Sequence, residues 1–166
     1  MEPEEIRQQF EYLIDSRARF LETFRTIGWA EFSKHRGATW GSMLAIFLHM
    51  LDDEEGWWQI ARNGGSLAET PDRRPEAYRD FRQLSDDNAR VGRLTRSRLA
   101  ELSIDDLSRT VEFEARTPLS RTFERIVMHA WVDEVAHLGE FVCLLWQMGV
   151  VPPFLDWLDY HVESHS

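Results

Sequence analysis

Two histidines and an aspartate recur at four-residue steps late in the chain: His129, Asp133 and His137. Residues four apart lie on one face of an α-helix, about 6 Å apart along its axis, so neighbouring side chains can reach one ion or substrate. Two imidazoles and a carboxylate that leave positions open for water are typical of catalytic zinc, nickel or non-haem iron sites. The spacing therefore predicts a divalent-metal site without choosing among these metals.

The residues around this ladder are apolar, among them Ile126, Trp131 and Val135, which favours a position facing the interior. A carboxylate in a dry interior is costly unless a metal or a hydrogen-bonding network compensates it. A divalent cation would do so. The alternative is a polar seam between helices, or a wet helix face with ordinary i,i+4 pairing.

A second helical segment supplies a candidate partner, His49, which lies in an apolar run and precedes four consecutive acidic residues. A metal site inside a helical bundle draws ligands from facing helices. Taken alone, His49 would fit a hydrogen-bonded core histidine, and the ladder shifts the interpretation to a ligand. Asp53 and Glu134 are the candidate general bases beside these ligands. The remaining histidines are interpreted as exposed imidazoles without a role: His35, His161 and His165.

Four long helices would position these side chains, and apolar residues recurring at steps of three and four predict them. We expect them over Pro3 to Ile27, Trp40 to Arg62, Pro75 to Leu102 and Arg121 to Met148. Thr39 is the expected N-cap of the second helix. Residues 109–115 alternate polar with apolar, which predicts a short strand or hairpin before the fourth helix. At 166 residues the chain fits one all-α domain, spanning residues 1–166.

Composition argues against several classes of function. The net charge of −10 repels phosphates, and no basic stripe is present, so we expect no nucleic-acid partner. No apolar run approaches the roughly 18 residues of a membrane span, and the first residues lack the pattern of a signal peptide, so a cytoplasmic protein is expected. The arginines from Arg73 to Arg98 alternate with acids and predict a solvated face. Cys143 has apolar neighbours and is expected to be a buried structural thiol.

Two motifs stand in the predicted second and fourth helices. The first runs from Leu48 to Trp58 and contains a His followed by acidic residues and two Trp. The second is His137-Leu138-Gly139-Glu140, with residues 144–149 and a Pro-Pro pair behind it. Together they resemble the DinB/YfiT-like superfamily of metal-dependent enzymes, over nearly the whole chain. Leu138 stands where that family usually has Arg, and Glu140 where it usually has Gln.

The resemblance implies a four-helix bundle with one divalent metal held between the second and fourth helices. Carried over by position, the ligands are His49, Asp133 and His137, although the family usually has His at the middle position. A carboxylate there can ligate zinc or nickel, or it can orient a ligand while His129 or Glu134 takes its place. Some relatives are thiol-dependent transferases using bacillithiol, mycothiol or glutathione, some are linked to DNA-damage induction, and members commonly form dimers.

The sequence therefore supports two hypotheses about function. The leading one is a metal-dependent enzyme, a thiol-dependent transferase or a hydrolase, whose divalent ion activates a water or a thiol by lowering its pKa. A small-molecule substrate, a low-molecular-weight thiol as cofactor and a homodimer accompany it. The alternative is a non-enzymatic, dimeric helical-bundle protein for stress or small-ligand binding, in which the polar ladder holds a seam without metal.

Overall fold

The computed structural model describes residues 1–157 and residue 160, and it is mostly helical. Three short strands accompany the helices, so the all-α prediction describes the long elements but not the whole chain. The elements in chain order are α1 (Pro3–Ile27), α2 (Trp29–Ser33), α3 (Met43–Asn63), β1 (Gly65–Ser66), α4 (Phe81–Ala100), α5 (Ile104–Ser108), β2 (Thr110–Glu114), β3 (Pro118–Thr122) and α6 (Phe123–Gln147).

Helix α3 begins three residues later than the sequence predicted. Ser42, and not Thr39, is its N-cap, and the Ser42 side chain accepts a hydrogen bond from the backbone N–H of Ala45. Gly41 has a φ of 92°, a left-handed conformation that cannot belong to a helix, so the predicted start at Trp40 was wrong. The other end was placed well, because Gly64 closes α3 with a φ of 68°.

Helix α4 also begins later than predicted. Pro75 opens only one turn of 3₁₀-helix, Pro75–Ala77, after which Tyr78 is extended. Asp80 is the N-cap of α4, and its carboxylate accepts the backbone N–H of Gln83. Pro75 therefore begins a helical turn, as its position predicted, but this turn is separate from α4. The segment between the first two predicted long helices contains the short helix α2.

The predicted hairpin between the third and fourth long helices is confirmed. Strands β2 and β3 pair antiparallel, with Val111 opposite Arg121 and Phe113 opposite Leu119. β1 adds a short parallel strand on the other side of β2, in the order β1-β2-β3. Val111 and Phe113 are buried, because alternate residues of β2 face the core.

The four long helices contact one another in a ring: α1 contacts α4 and α6, and α3 also contacts both. Aromatic side chains fill the space between them, including Phe24, which contacts Phe141 edge-on at 4.9 Å between ring centroids. No helix among residues 1–157 is long and apolar enough to cross a membrane. The segment after α6 returns to α1, where Trp157 and Tyr160 contact Tyr12.

Cys143 is exposed, which corrects the prediction of a buried thiol. Its sequence neighbours Phe141 and Leu145 are buried, yet they project from the opposite side of α6. Apolar neighbours in sequence therefore gave the wrong environment, because consecutive helical residues point 100° apart.

Candidate metal centre

Helices α3 and α6 bring together the three side chains that the sequence singled out as ligands. His49 comes from α3, Asp133 and His137 come from α6, and one ligand atom of each lies within 4.8 Å of the others. Asp133 Oδ2 lies 3.2 Å from His49 Nε2 and 3.4 Å from His137 Nε2. The two imidazole rings meet edge-on, 5.0 Å apart. The cluster is half-buried between the two helices.

The unsatisfied oxygen of this cluster fits a metal ligand. Asp133 Oδ2 is buried and accepts no hydrogen bond within the described part of the chain. Buried carboxylate oxygens are costly without a partner, and two imidazole nitrogens within 3.4 Å can share one ion with it. One carboxylate and two imidazoles, with room for further ligands, match the preference of zinc and similar divalent ions.

Asp133 and His137 shift each other's pKa values. Burial disfavours the charged form of Asp133, but the neighbouring imidazoles of His137 and His49 hold its pKa well below the usual range. Burial also disfavours protonated His137, yet Asp133 and Glu140 raise its pKa overall. Asp133 is therefore a carboxylate at neutral pH, as a metal ligand must be.

A carboxylate lies behind each imidazole. His137 Nδ1 is 3.2 Å from Glu140 Oε2, and His49 Nδ1 is 3.7 Å from Asp53 Oδ1. Because a carboxylate can only accept, the contact with Glu140 places the proton on Nδ1 and leaves Nε2 facing the cluster. Such partners fix the orientation of metal-ligating histidines. The sequence indicated Asp53 but gave Glu140 no role.

The loop before α3 covers one side of the cluster. Trp40 stacks on His49 with 4.1 Å between ring centroids, and it is 50% exposed. The backbone N–H of Thr39 donates to Glu140 Oε1 at 2.9 Å. Glu140 therefore contacts both the loop and His137. The sequence analysis gave no role to Trp40 or to the hydrogen bond between Thr39 and Glu140. Thr39 and Glu140 are about a hundred positions apart in sequence, so no local pattern connects them.

His129, the other rung of the ladder, lies outside this group. It is exposed and meets Trp57 edge-on, 4.8 Å away. The indole N–H of Trp57 in turn donates to Asp53 Oδ2 at 3.1 Å. His35 is exposed as expected, while His161 and His165 lie outside the described residues.

The family model of the DinB family matches residues 2–164, which is almost the full length of the chain. The chain belongs to the DinB family. A search of the curated proteins found no match. Family membership confirms the resemblance drawn from the two motifs.

Glu134 is placed away from the cluster, in the core of this DinB protein. It is fully buried and accepts a hydrogen bond from Arg17 of α1, as does Glu54 of α3. Arg17 also donates to Asn88 Oδ1 at 3.0 Å, and Thr95 donates to Glu54. Burial and the neighbouring Glu54 raise the pKa of Glu134, although Arg17 opposes this shift.

The acidic turn of α3, residues 52–55, also binds the loop before α4. Arg73 donates to Asp52, to Glu55 at 2.6 Å and to Asp87 at 2.6 Å. Arg90 adds a second contact to Glu55. The sequence predicted a solvated face for the arginines from Arg73 to Arg98. Arg73 does not fit this prediction, because its side chain is only 8% exposed. These ion pairs hold residues 70–75 against α3.

A cavity of about 450 Å³ opens beside the cluster of this DinB protein. Trp40, His49 and Asp53 line one side, and the segment 70–75 lines the other. Burial and the charge of Asp133 raise the pKa of Asp53, although His49 opposes this shift. The cavity therefore places a proton-accepting carboxylate and a cluster imidazole on one wall. Its size is within the range of small-molecule sites.

Proposed function

We propose that this protein is a metal-dependent enzyme, of the thiol-dependent transferase or hydrolase type, with one divalent metal held by His49, Asp133 and His137. The observation that carries the proposal is the convergence of three ligand atoms from α3 and α6 around a buried carboxylate oxygen that accepts no hydrogen bond in the described residues. Family membership supports the fold context, and a four-helix bundle in one domain is the arrangement we propose for the ring of long helices.

When bound, the metal would lower the pKa of a water or of a low-molecular-weight thiol and so supply a nucleophile. Asp53 is the better placed of the two candidate bases, because it lines the cavity and its pKa is raised towards neutrality. Glu134 is directed at Arg17 on the core side of α6, so it would have to leave that contact to take a proton. We assign Glu134 to positioning α6.

Metal content tests this proposal directly. Protein purified without chelators should carry about one equivalent of a divalent metal, measured by elemental analysis. Zinc, nickel or manganese at about a hundredfold excess over its Kd should stabilise the fold by about 2.7 kcal/mol, which for this length is about 5–10 °C in Tm.

Two substitutions make the metal test specific. His137→Ala should abolish both the stoichiometric metal and the Tm shift. The matched control is His129→Ala on the same helix, because this imidazole lies outside the cluster and both signals should persist. Absence of metal together with absence of any Tm shift would refute the metal site. A screen for consumption of the three thiols named above would then test the transferase assignment.

A non-enzymatic bundle is the second candidate, and one observation favours it. Asp133 already lies between two imidazoles, and attraction to them keeps it charged, so the cluster can hold α3 against α6 without an ion. If the cluster holds no metal, adding a chelator should not change the stability of the protein. His137→Ala should then destabilise the fold equally with and without chelator.

A homodimer is proposed on the outer face of α6. Five exposed residues there recur at steps of four and three: Val132, Ala136, Gly139, Cys143 and Trp146. No charged residue interrupts this α6 stripe, and such spacing is that of a helix–helix seam. Analytical ultracentrifugation should show a dimer that Trp146→Glu dissociates. A monomer at all concentrations would refute it.

We also propose that the protein acts on a small-molecule substrate, has no nucleic-acid partner and lies in the cytoplasm.

A further inference from the structure

A second cavity, of about 420 Å³, lies between α3, α6 and the hairpin, and Trp57 lines it. We call it the hairpin pocket. Its apolar lining comes from Trp57, Phe113, Leu119, Ile126, Met128 and Val132. The size is sufficient for a small ligand, and a mostly apolar lining with a few polar groups is typical of binding sites.

Two arginines and a histidine accompany this apolar lining. Arg121, Arg125 and His129 line the hairpin pocket, and no described carboxylate does. Neither Arg121 nor Arg125 forms an ion pair within residues 1–157. Arg121 donates to the Ser120 carbonyl instead, and both guanidinium groups are exposed. In a protein of net charge −10, a cavity with two unpaired arginines and no acid is a local reversal of sign.

We propose that the hairpin pocket binds a small amphiphilic anion, a ligand with an apolar body and one carboxylate or other acidic group. The apolar body would contact Phe113, Ile126 and Met128, and the acidic group would pair with Arg121 and Arg125. Guanidinium groups form two-point hydrogen bonds with carboxylates, which favours an anion over a neutral or cationic head group. This inference does not rest on the proposed metal chemistry, because no member of the His49, Asp133 and His137 group lines the pocket.

Calorimetric titration with three ligands of one chain length tests the proposal: decanoate, decanol and decylamine. Decanoate should bind saturably at one site per chain, decanol more weakly, and decylamine least. Arg121→Gln and Arg125→Gln should each weaken decanoate about threefold, and together about tenfold, as expected for partly exposed ion pairs. Binding of decanol should be unaffected by either substitution.

Two further variants provide the controls. Arg116→Gln removes the same charge from an exposed position of the same hairpin, outside the pocket, and should leave decanoate binding unchanged. Met128→Trp should fill the cavity and block all three ligands.

The same titration with His137→Ala separates this site from the metal cluster, since decanoate should bind the variant as it binds the wild type. Equal binding of the three ligands, or equal weakening in Arg116→Gln, would overturn the proposal. So would loss of decanoate binding in His137→Ala, which would assign the anion to the metal cluster instead.

Discussion

Replacing Arg17 with Met should remove a large part of the stability of this protein. Arg17 is fully buried, and its guanidinium donates to Glu54, Glu134 and Asn88 from three different helices. Met fills much of the same volume but leaves the Glu54 carboxylate without a cation. Removing one partner of a buried ion pair costs about 3–5 kcal/mol, because the remaining charge is uncompensated.

The loss can be converted into a melting temperature. For a domain of about this length, 1 kcal/mol corresponds to about 2–4 °C, so Arg17→Met should lower Tm by about 6–20 °C. Urea unfolding at pH 7 gives the free energy of unfolding directly. The control is Arg19→Met on the same helix, whose exposed pair with Asp15 should be worth less than about 1 kcal/mol.

A third variant distinguishes the loss of a charge partner from the loss of packing. Replacing Arg17, Glu54 and Glu134 together with Met, Leu and Leu removes the charges as a set, and it should recover most of the stability lost in Arg17→Met. A loss below about 1 kcal/mol for Arg17→Met, or a triple variant less stable than the single one, would refute this account of the buried cluster.

Three further predictions follow from single contacts. Glu140→Ala should weaken metal binding about 10–100-fold in a chelator competition, while Glu140→Gln should keep most of the affinity; equal effects would argue against an orienting role. Although burial opposes it, hydrogen bonds from neighbouring side chains lower the pKa of Asp87 to about 2. After discounting for solvent screening, the charged Asp87 carboxylate stabilises the fold by about 1 kcal/mol. This stabilisation is present above the unfolded pKa of about 3.9 and is lost as pH falls towards 2. Urea midpoints of wild type and Asp87→Asn should converge between pH 4 and pH 2, and parallel curves would contradict this. Gly64→Ala should destabilise the fold by more than Gly149→Ala. Both glycines have positive φ, but only at Gly64 would the new Cβ lie 2.6 Å from the Glu112 carbonyl oxygen. Equal losses of unfolding free energy in the two variants would contradict this account.

The ligand cluster was predictable because its members obey helical spacing. Asp133 and His137 are four residues apart, and an apolar pattern around them predicted which face is inward. His49 had to be matched from another helix, and the family resemblance supplied that match. His129 obeys the same spacing but lies outside the cluster, because it is about two turns before His137 on α6 and meets Trp57 of α3 there instead of His49.

The contacts that support the cluster were not predictable. The loop before α3 brings Thr39 to Glu140 of α6 and stacks Trp40 on His49. The buried ionic cluster had one signal in the sequence: Arg17 occupies an apolar position in the repeat of α1, and an Arg on a buried face needs an acid opposite it. Spacing within one helix cannot identify that acid on another.

The four consecutive acids of α3 have a consequence for the whole helix. Asp52 holds the loop before α4, Asp53 faces the cavity, Glu54 enters the core and Glu55 reaches α4. Successive side chains point 100° apart, so these four contacts are distributed around all sides of the helix. Any rotation of α3 would break several of them at once. The direction of His49, one turn away on the same helix, therefore depends on attachments that lie outside the cluster.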